Sequence, residues 1–133
     1  MSPPRFPLRL EPWRLAVCRF PADAPLPAWV FHESPTFWSL TRTPDELSLV
    51  CPEDDLPPSV QEHVERGWRA FGLVGPVPFT TTGVIHALTE PLAEAGVPVF
   101  VLSTFDTDWL LVRETVFDRA LEVLRQHYEV RES

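Results

Sequence analysis

Proline is the residue that most restricts what this chain can fold into. Of its 133 residues 16 are proline; eight precede Thr36 and none follows Pro98. Each lacks a backbone donor and turns its predecessor away from helix, so the first third is expected to be extended or turn-rich. Residues 8–20 alternate Trp13, Leu15 and Val17 with Arg14, Ala16 and Cys18, as a strand does, until Pro21, Pro25 and Pro27 interrupt them. Residues 37–51 read as a hairpin turning at Thr43-Pro44-Asp45-Glu46. Next, Asp54, Asp55, Pro57 and Pro58 mark a helix start, and the spacing of Val60 and Val64 predicts a short helix there. The run from Trp68 to Phe79 is expected to be extended, with Gly72 and Gly75 permitting a bend or bulge.

The second half has a denser pattern. Thr80, Thr81 and Thr82 lead into Gly83, after which Val84, Ile85, Leu88, Leu92 and Ala95 follow helical spacing. This helix contains Pro91 and should end at Ala95-Gly96, where glycine allows a left-handed cap. Residues 97–103 form an apolar strand, Phe105-Asp106-Thr107-Asp108 reverse the chain, and residues 109–112 return. Thr115 and Asp118 resemble a capping box for a last helix over 115–127, which buries Val116, Phe117, Ala120, Leu121 and Leu124. A short strand over 128–131 follows. Each half thus reads strand, helix, strand, strand, helix, strand, the first helix of the first half being broken. Segments 46–50 and 108–112 align at an offset of 62 residues, an internal repeat. The expected fold class is α+β: two tandem ferredoxin-like βαββαβ units, residues 1–66 and 67–133, each an antiparallel sheet with helices on one face.

The loop before Gly83 is the first candidate site. The opening N–H groups of a helix have no partner within it and carry the positive end of its dipole, which suits a carboxylate or other small anion. Other chemistries find less support. A net charge of −8, from 19 acidic and 11 basic residues, repels phosphate backbones and acidic membranes. No apolar run is long enough to span a bilayer, and residues 1–13 are too charged and proline-rich for a signal-peptide core, so a cytoplasmic protein is expected. Cys18 and Cys51 could pair, but without CxxC spacing they read as reduced core residues. Asp106-x-Asp108 and Glu53-Asp54-Asp55 fall short of the oxygens a hard cation needs, and the four histidines lack ligand spacing; only His86, beside the loop, stands near the site. No metal or cofactor is therefore expected. No nucleophile elbow, phosphate-binding glycine loop or Cys–His signature occurs, which argues against an enzyme.

Three segments carry a family resemblance: Thr82-Gly83-Val84-Ile85, residues 91–99 (PLAEAGVPV) and residues 102–112 (LSTFDTDWLLV). With them the chain resembles the ACT-domain family, small βαββαβ regulatory modules that bind amino acids. Within that family it looks most like tandem-ACT proteins related to the cytosolic arginine sensor of the TOR pathway. The resemblance covers the second half closely and the first half loosely. It implies a free amino acid or similar zwitterion held at an interface between ACT units. Carried over by motif, the loop supplies Thr81, Thr82, Gly83, Val84 and Ile85, the hairpin Thr104, Phe105 and Asp108, and a facing unit's strand Pro98 and Val99. Backbone N–H groups would hold an α-carboxylate, Asp108 an ammonium or guanidinium, and the threonines would offer hydroxyls. The sensor has an acidic residue where Thr81 stands, so arginine specificity does not carry over. A homodimer is expected, because an exposed sheet edge and a facing-strand requirement are met most simply by a twofold pair; a regulated protein partner would complete the sensor. The alternative is a constitutive protein-interaction module with a vestigial pocket, recognised by a cleft plugged by Phe105, Ile85 or Trp109 or by loop threonines satisfied internally.

Overall fold

The computed structural model describes residues 6–32 and 36–133, which form eight strands and two α-helices in a mixed α/β arrangement. The chain divides into two compact units: Trp13–Trp68, and Arg69–Ser133 together with the segment ending at Pro12. This partition places residues 6–12 with the C-terminal unit, whereas the order of elements in the sequence groups them with the first half. The strand expected over 8–20 is accordingly two strands, β1 (Leu8–Leu10) and β2 (Leu15–Phe20). Pro12 lies between them, with no N–H to continue a ladder.

In the N-terminal unit, β2, β3 (Ser39–Arg42), β4 (Leu47–Pro52) and the first half of β5 (Val64–Leu73) pair antiparallel in the order β3-β4-β2-β5. Ala16, Cys18, Leu49 and Cys51 alternate onto one face and pack with Val30, Leu56 and Val64. Both cysteines are buried and unbridged, as expected. No α-helix occurs among the described residues of this unit; 3₁₀ turns at Ala28–Val30 and Glu53–Asp55 stand in the two helical places. The helix expected after Asp54 is absent. Leu56, held extended before Pro57 (φ −69°, ψ 123°), breaks it, and Val64 is drawn into β5 opposite Cys18. Glu53 helps fix the connection: its Oε1 accepts from the Gly67 N–H at 2.5 Å.

In the C-terminal unit, β1 lies between β5 and β8 (Val130–Glu132), antiparallel to the first and parallel to the second. β5 also pairs with β7 (Asp108–Arg113), which pairs antiparallel with β6 (Phe100–Ser103). The parallel β1–β8 pair departs from the all-antiparallel expectation; an extra N-terminal strand occupies the position beside β5. Helices α1 (Val84–Glu94) and α2 (Phe117–Arg125) share one core with the alternate residues Leu8 and Leu10, Phe71 and Leu73, and Leu110 and Val112. Both helices therefore cover one face. Full burial of each such leucine or phenylalanine contributes about 1.5–3 kcal/mol.

α1 tolerates Pro91 within it and ends in a Schellman motif: Val97 N–H donates to Leu92 C=O at 2.9 Å and Gly96 N–H to Ala93 C=O at 3.0 Å. Gly96 takes φ +73°, as the motif requires. The strand expected over 97–103 begins only at Phe100. The last helix also starts later than expected, after a 3₁₀ turn at Glu114–Val116, and its N-cap is Val116 with no side-chain cap. The capping box read from Thr115 and Asp118 does not form.

Candidate functional site

Gly83, the N-cap of α1, has φ +76°, a left-handed conformation that suits glycine. Its carbonyl accepts from Ala87 N–H at 2.9 Å, the first bond of the helix. No side chain caps this end and no acid sits in the first turn. The N–H groups of Val84, Ile85 and His86 thus have no intrahelical acceptor and present the positive end of the dipole. In the preceding loop, the hydroxyls of Thr80, Thr81 and Thr82 make no hydrogen bond among the described residues.

The hairpin between β6 and β7 supplies the other side. Thr104 closes it: its N–H donates to Thr107 C=O at 2.8 Å, and its Oγ1 accepts from Thr107 N–H at 3.3 Å. Ser103 and Asp108 are a cross-strand pair, and Ser103 Oγ donates to Asp108 Oδ1 at 2.6 Å. That bond orients the carboxylate and leaves its second oxygen for another donor. Two further bonds tie the hairpin to the end of β5 and the chain that follows it. Thr107 Oγ1 donates to Leu73 C=O at 2.8 Å, and Val77 N–H to Asp106 C=O at 2.7 Å.

Between these walls lies a cleft of about 390 Å³. Of the sequence-derived residues, Thr81, Gly83, Val84, Ile85, Thr104, Phe105 and Asp108 line it. Thr82 is adjacent in the loop but not in the lining. Pro98 and Val99 are elsewhere: they follow the far end of α1, about 16 Å along the helix from Gly83 at 1.5 Å per residue. The lining also includes Val77, Pro78, Phe79, His86, Ser103 and Thr107. Of these, the sequence alone points only to His86. Ser103 was legible in principle, since hairpin register places it opposite Asp108. Phe79 was not, because the loop that carries it has no periodic signal.

Phe79 and Phe105 form an edge-to-face pair, centroids 5.0 Å apart at 85°, and remain 74% and 80% exposed. They stand at the site without filling it; Ile85 is also partly exposed, and Trp109 does not line this cleft. His86 Nε2 lies 2.9 Å from Glu90 Oε2 one turn along the exposed helix flank. Asp108 is the one carboxylate of the lining. Among the described residues no cluster could hold a metal ion, and no helix is long and apolar enough to cross a membrane.

A family model described as ACT domain matches residues 63–126, and a second, described as an N-terminal domain, matches residues 14–59. The cytosolic arginine sensor for mTORC1 subunit 1 of Bos taurus is 32% identical over 103 residues, covering 71% of this chain and 31% of the relative. The match thus spans about a third of the length of this arginine sensor and of its Homo sapiens counterpart. A crystal structure of a protein from Agobacterium tumefaciens aligns with a TM-score of 0.83 at 35% identity, covering 98% of this chain and 93% of that one. The regulatory subunit of aspartate kinase from Thermus thermophilus, in a ligand-free form, aligns with a TM-score of 0.61 at 15% identity, over 94% of this chain and 98% of that one. The last likeness is one of fold.

Proposed function

We propose, because this chain belongs to the ACT-domain family, that it is a non-enzymatic, cytoplasmic regulatory protein that senses a free amino acid. Its two units are tandem ferredoxin-like ACT modules, the first with both helices reduced to 3₁₀ turns. The cleft beside Gly83 is the ligand site. The observation that carries this reading is the pairing of complementary ends across one cavity: uncapped helix N–H groups for an α-carboxylate and Asp108 for an α-ammonium. The cavity of about 390 Å³ lies within the range of small-molecule sites. It is neither plugged by a side chain nor deprived of its loop hydroxyls, the two features that would have favoured a vestigial pocket.

The relatives are arginine sensors by name. Here one carboxylate lines the cleft, and an α-ammonium occupies it, so no counterion is left for a guanidinium. Amino acids with uncharged side chains are expected to bind more tightly than arginine. Pro98 and Val99 complete the site only from a facing copy, in a homodimer. Ligand binding then acts by favouring one assembly or partner contact over another.

A thermal-unfolding screen against the twenty amino acids tests the reading, since a ligand bound only to the native state raises the midpoint. A selective rise supports it. An unchanged midpoint at millimolar concentrations favours the constitutive interaction module instead, for which the exposed Phe79–Phe105 pair is the observation to pursue.

A further inference from the structure

We propose that the C-terminal unit carries a second small-molecule site, on the helix-free face of its sheet, for an aromatic carboxylate that also bears a donor group. A cleft of about 260 Å³ lies there, on the other side of the hairpin from the first and sharing only Thr107 with it. Three residues give it chemical character: Arg9, Trp109 and Asp106.

Strand alternation sets the face. Phe71, Leu73, Leu110 and Val112 point into the helix-packed core, so Gly72 and Trp109 point the other way. Arg9 is the cross-strand partner of Gly72 and shares that face. Gly72 is what lets the indole lie against the sheet: a Cβ there would come within 2.8 Å of Trp109 Cζ3 and 2.9 Å of Cη2. The ring thus rests on bare backbone and forms one wall of the cleft, a flat apolar surface on which another ring can stack.

Arg9 supplies the charge. Its guanidinium makes no ion pair or hydrogen bond among the described residues, whereas its β8 neighbour Arg131 is paired with Glu129 at 3.1 Å. In a chain of net charge −8, a guanidinium with its planar donors unused beside an indole is suited to a carboxylate, which it can hold in bidentate fashion. An arginine kept only for solubility has no need of a concave lining. The Asp106 carboxylate, also without a hydrogen bond among the described residues, borders the same cleft and would repel a simple anion. It favours a ligand with an amino or hydroxyl donor as well as the carboxylate.

Calorimetric titration of the full chain carrying Asp108→Ala, which disables the first cleft, tests this with three probes of one skeleton. l-Tryptophan is expected to bind, indole-3-propionate severalfold more weakly, and tryptamine, lacking the carboxylate, about tenfold more weakly or worse. Adding Arg9→Gln, a change at an exposed position that circular dichroism should show folded, is expected to erase the difference between l-tryptophan and tryptamine. Tryptamine binding as tightly as l-tryptophan, binding unaltered by Arg9→Gln, or no binding by any probe would overturn the proposal. None of these outcomes bears on the first cleft, whose test uses the parent chain.

Discussion

At single residues, groups that hold the backbone separate from groups proposed to meet a ligand. Gly96 belongs to the first kind. A Cβ there would meet nothing within 4 Å, so Gly96→Ala changes only the cost of φ +73°. It is expected to destabilise the protein by about 1–2 kcal/mol, read as a lower urea midpoint at unchanged slope, with Gly96→Asn losing less. Asp108, which lines the cleft, is proposed to be of the second kind. Asp108→Asn keeps an oxygen for Ser103 Oγ and removes the charge that an ammonium needs. Stability of the unliganded protein should change by no more than about 0.5 kcal/mol, while the ligand-induced rise in midpoint disappears. A rise equal to that of the parent protein would remove Asp108 from the site. The places of both residues, one in a helix cap and one in a hairpin, were legible in the sequence because each is tied to local chain geometry. Sequence was a poor guide to Phe79 and Val77, on a segment that is held at the cleft by bonds of Asp106 to Val77 and of Thr107 to Leu73 at the end of β5.

At the level of elements, legibility followed whether local and tertiary preferences agreed. α1 and the two hairpins were legible because apolar spacing, turn residues and a glycine cap all point the same way. The helix after Asp54 was misread because proline and β-branched residues admit two outcomes, and pairing with β2 decides for strand at Val64. The repeat was legible but out of register by one residue. β4 and β7 begin 61 residues apart, at Leu47 and Asp108, and their hairpins are closed alike by Thr43 and Thr104, whose Oγ1 atoms each accept from a turn N–H. An offset of 62 would set Leu49 of the N-terminal core against Leu111, whose neighbours Leu110 and Val112 are the ones that face the helices; a slip of one flips every side chain. The unformed capping box yields a prediction of its own. A working N-cap threonine contributes about 1 kcal/mol, but no side chain caps α2, so Thr115→Ala should leave the denaturation midpoint nearly unchanged. A loss near the full capping value would mean that Thr115 does cap the helix in solution.

For the whole molecule, the consequential feature is the division of labour along the N-terminal segment. Leu8 and Leu10 are buried in the core that also holds Val84 and Leu88 of α1, while Ala16 and Cys18, a few residues later, belong to the other core. The stability of the cleft beside Gly83 is therefore linked to Leu8 and Leu10 rather than only to the residues around it. Leu8→Ala removes a fully buried side chain, a change that costs about 2–5 kcal/mol. Hydrogen exchange should show the loss of protection in α1, β6 and β7, with β2 and β4 largely keeping theirs, because local opening follows the contacts of each unit. The matching change Leu49→Ala should do the reverse. Saturating ligand, at about a hundred times its dissociation constant, returns about 2.7 kcal/mol to a unit that binds it only when folded. It should accordingly restore protection in Leu8→Ala and not in Leu49→Ala. Equal rescue of both variants would mean that the ligand stabilises both units together and that the site is not confined to the C-terminal one.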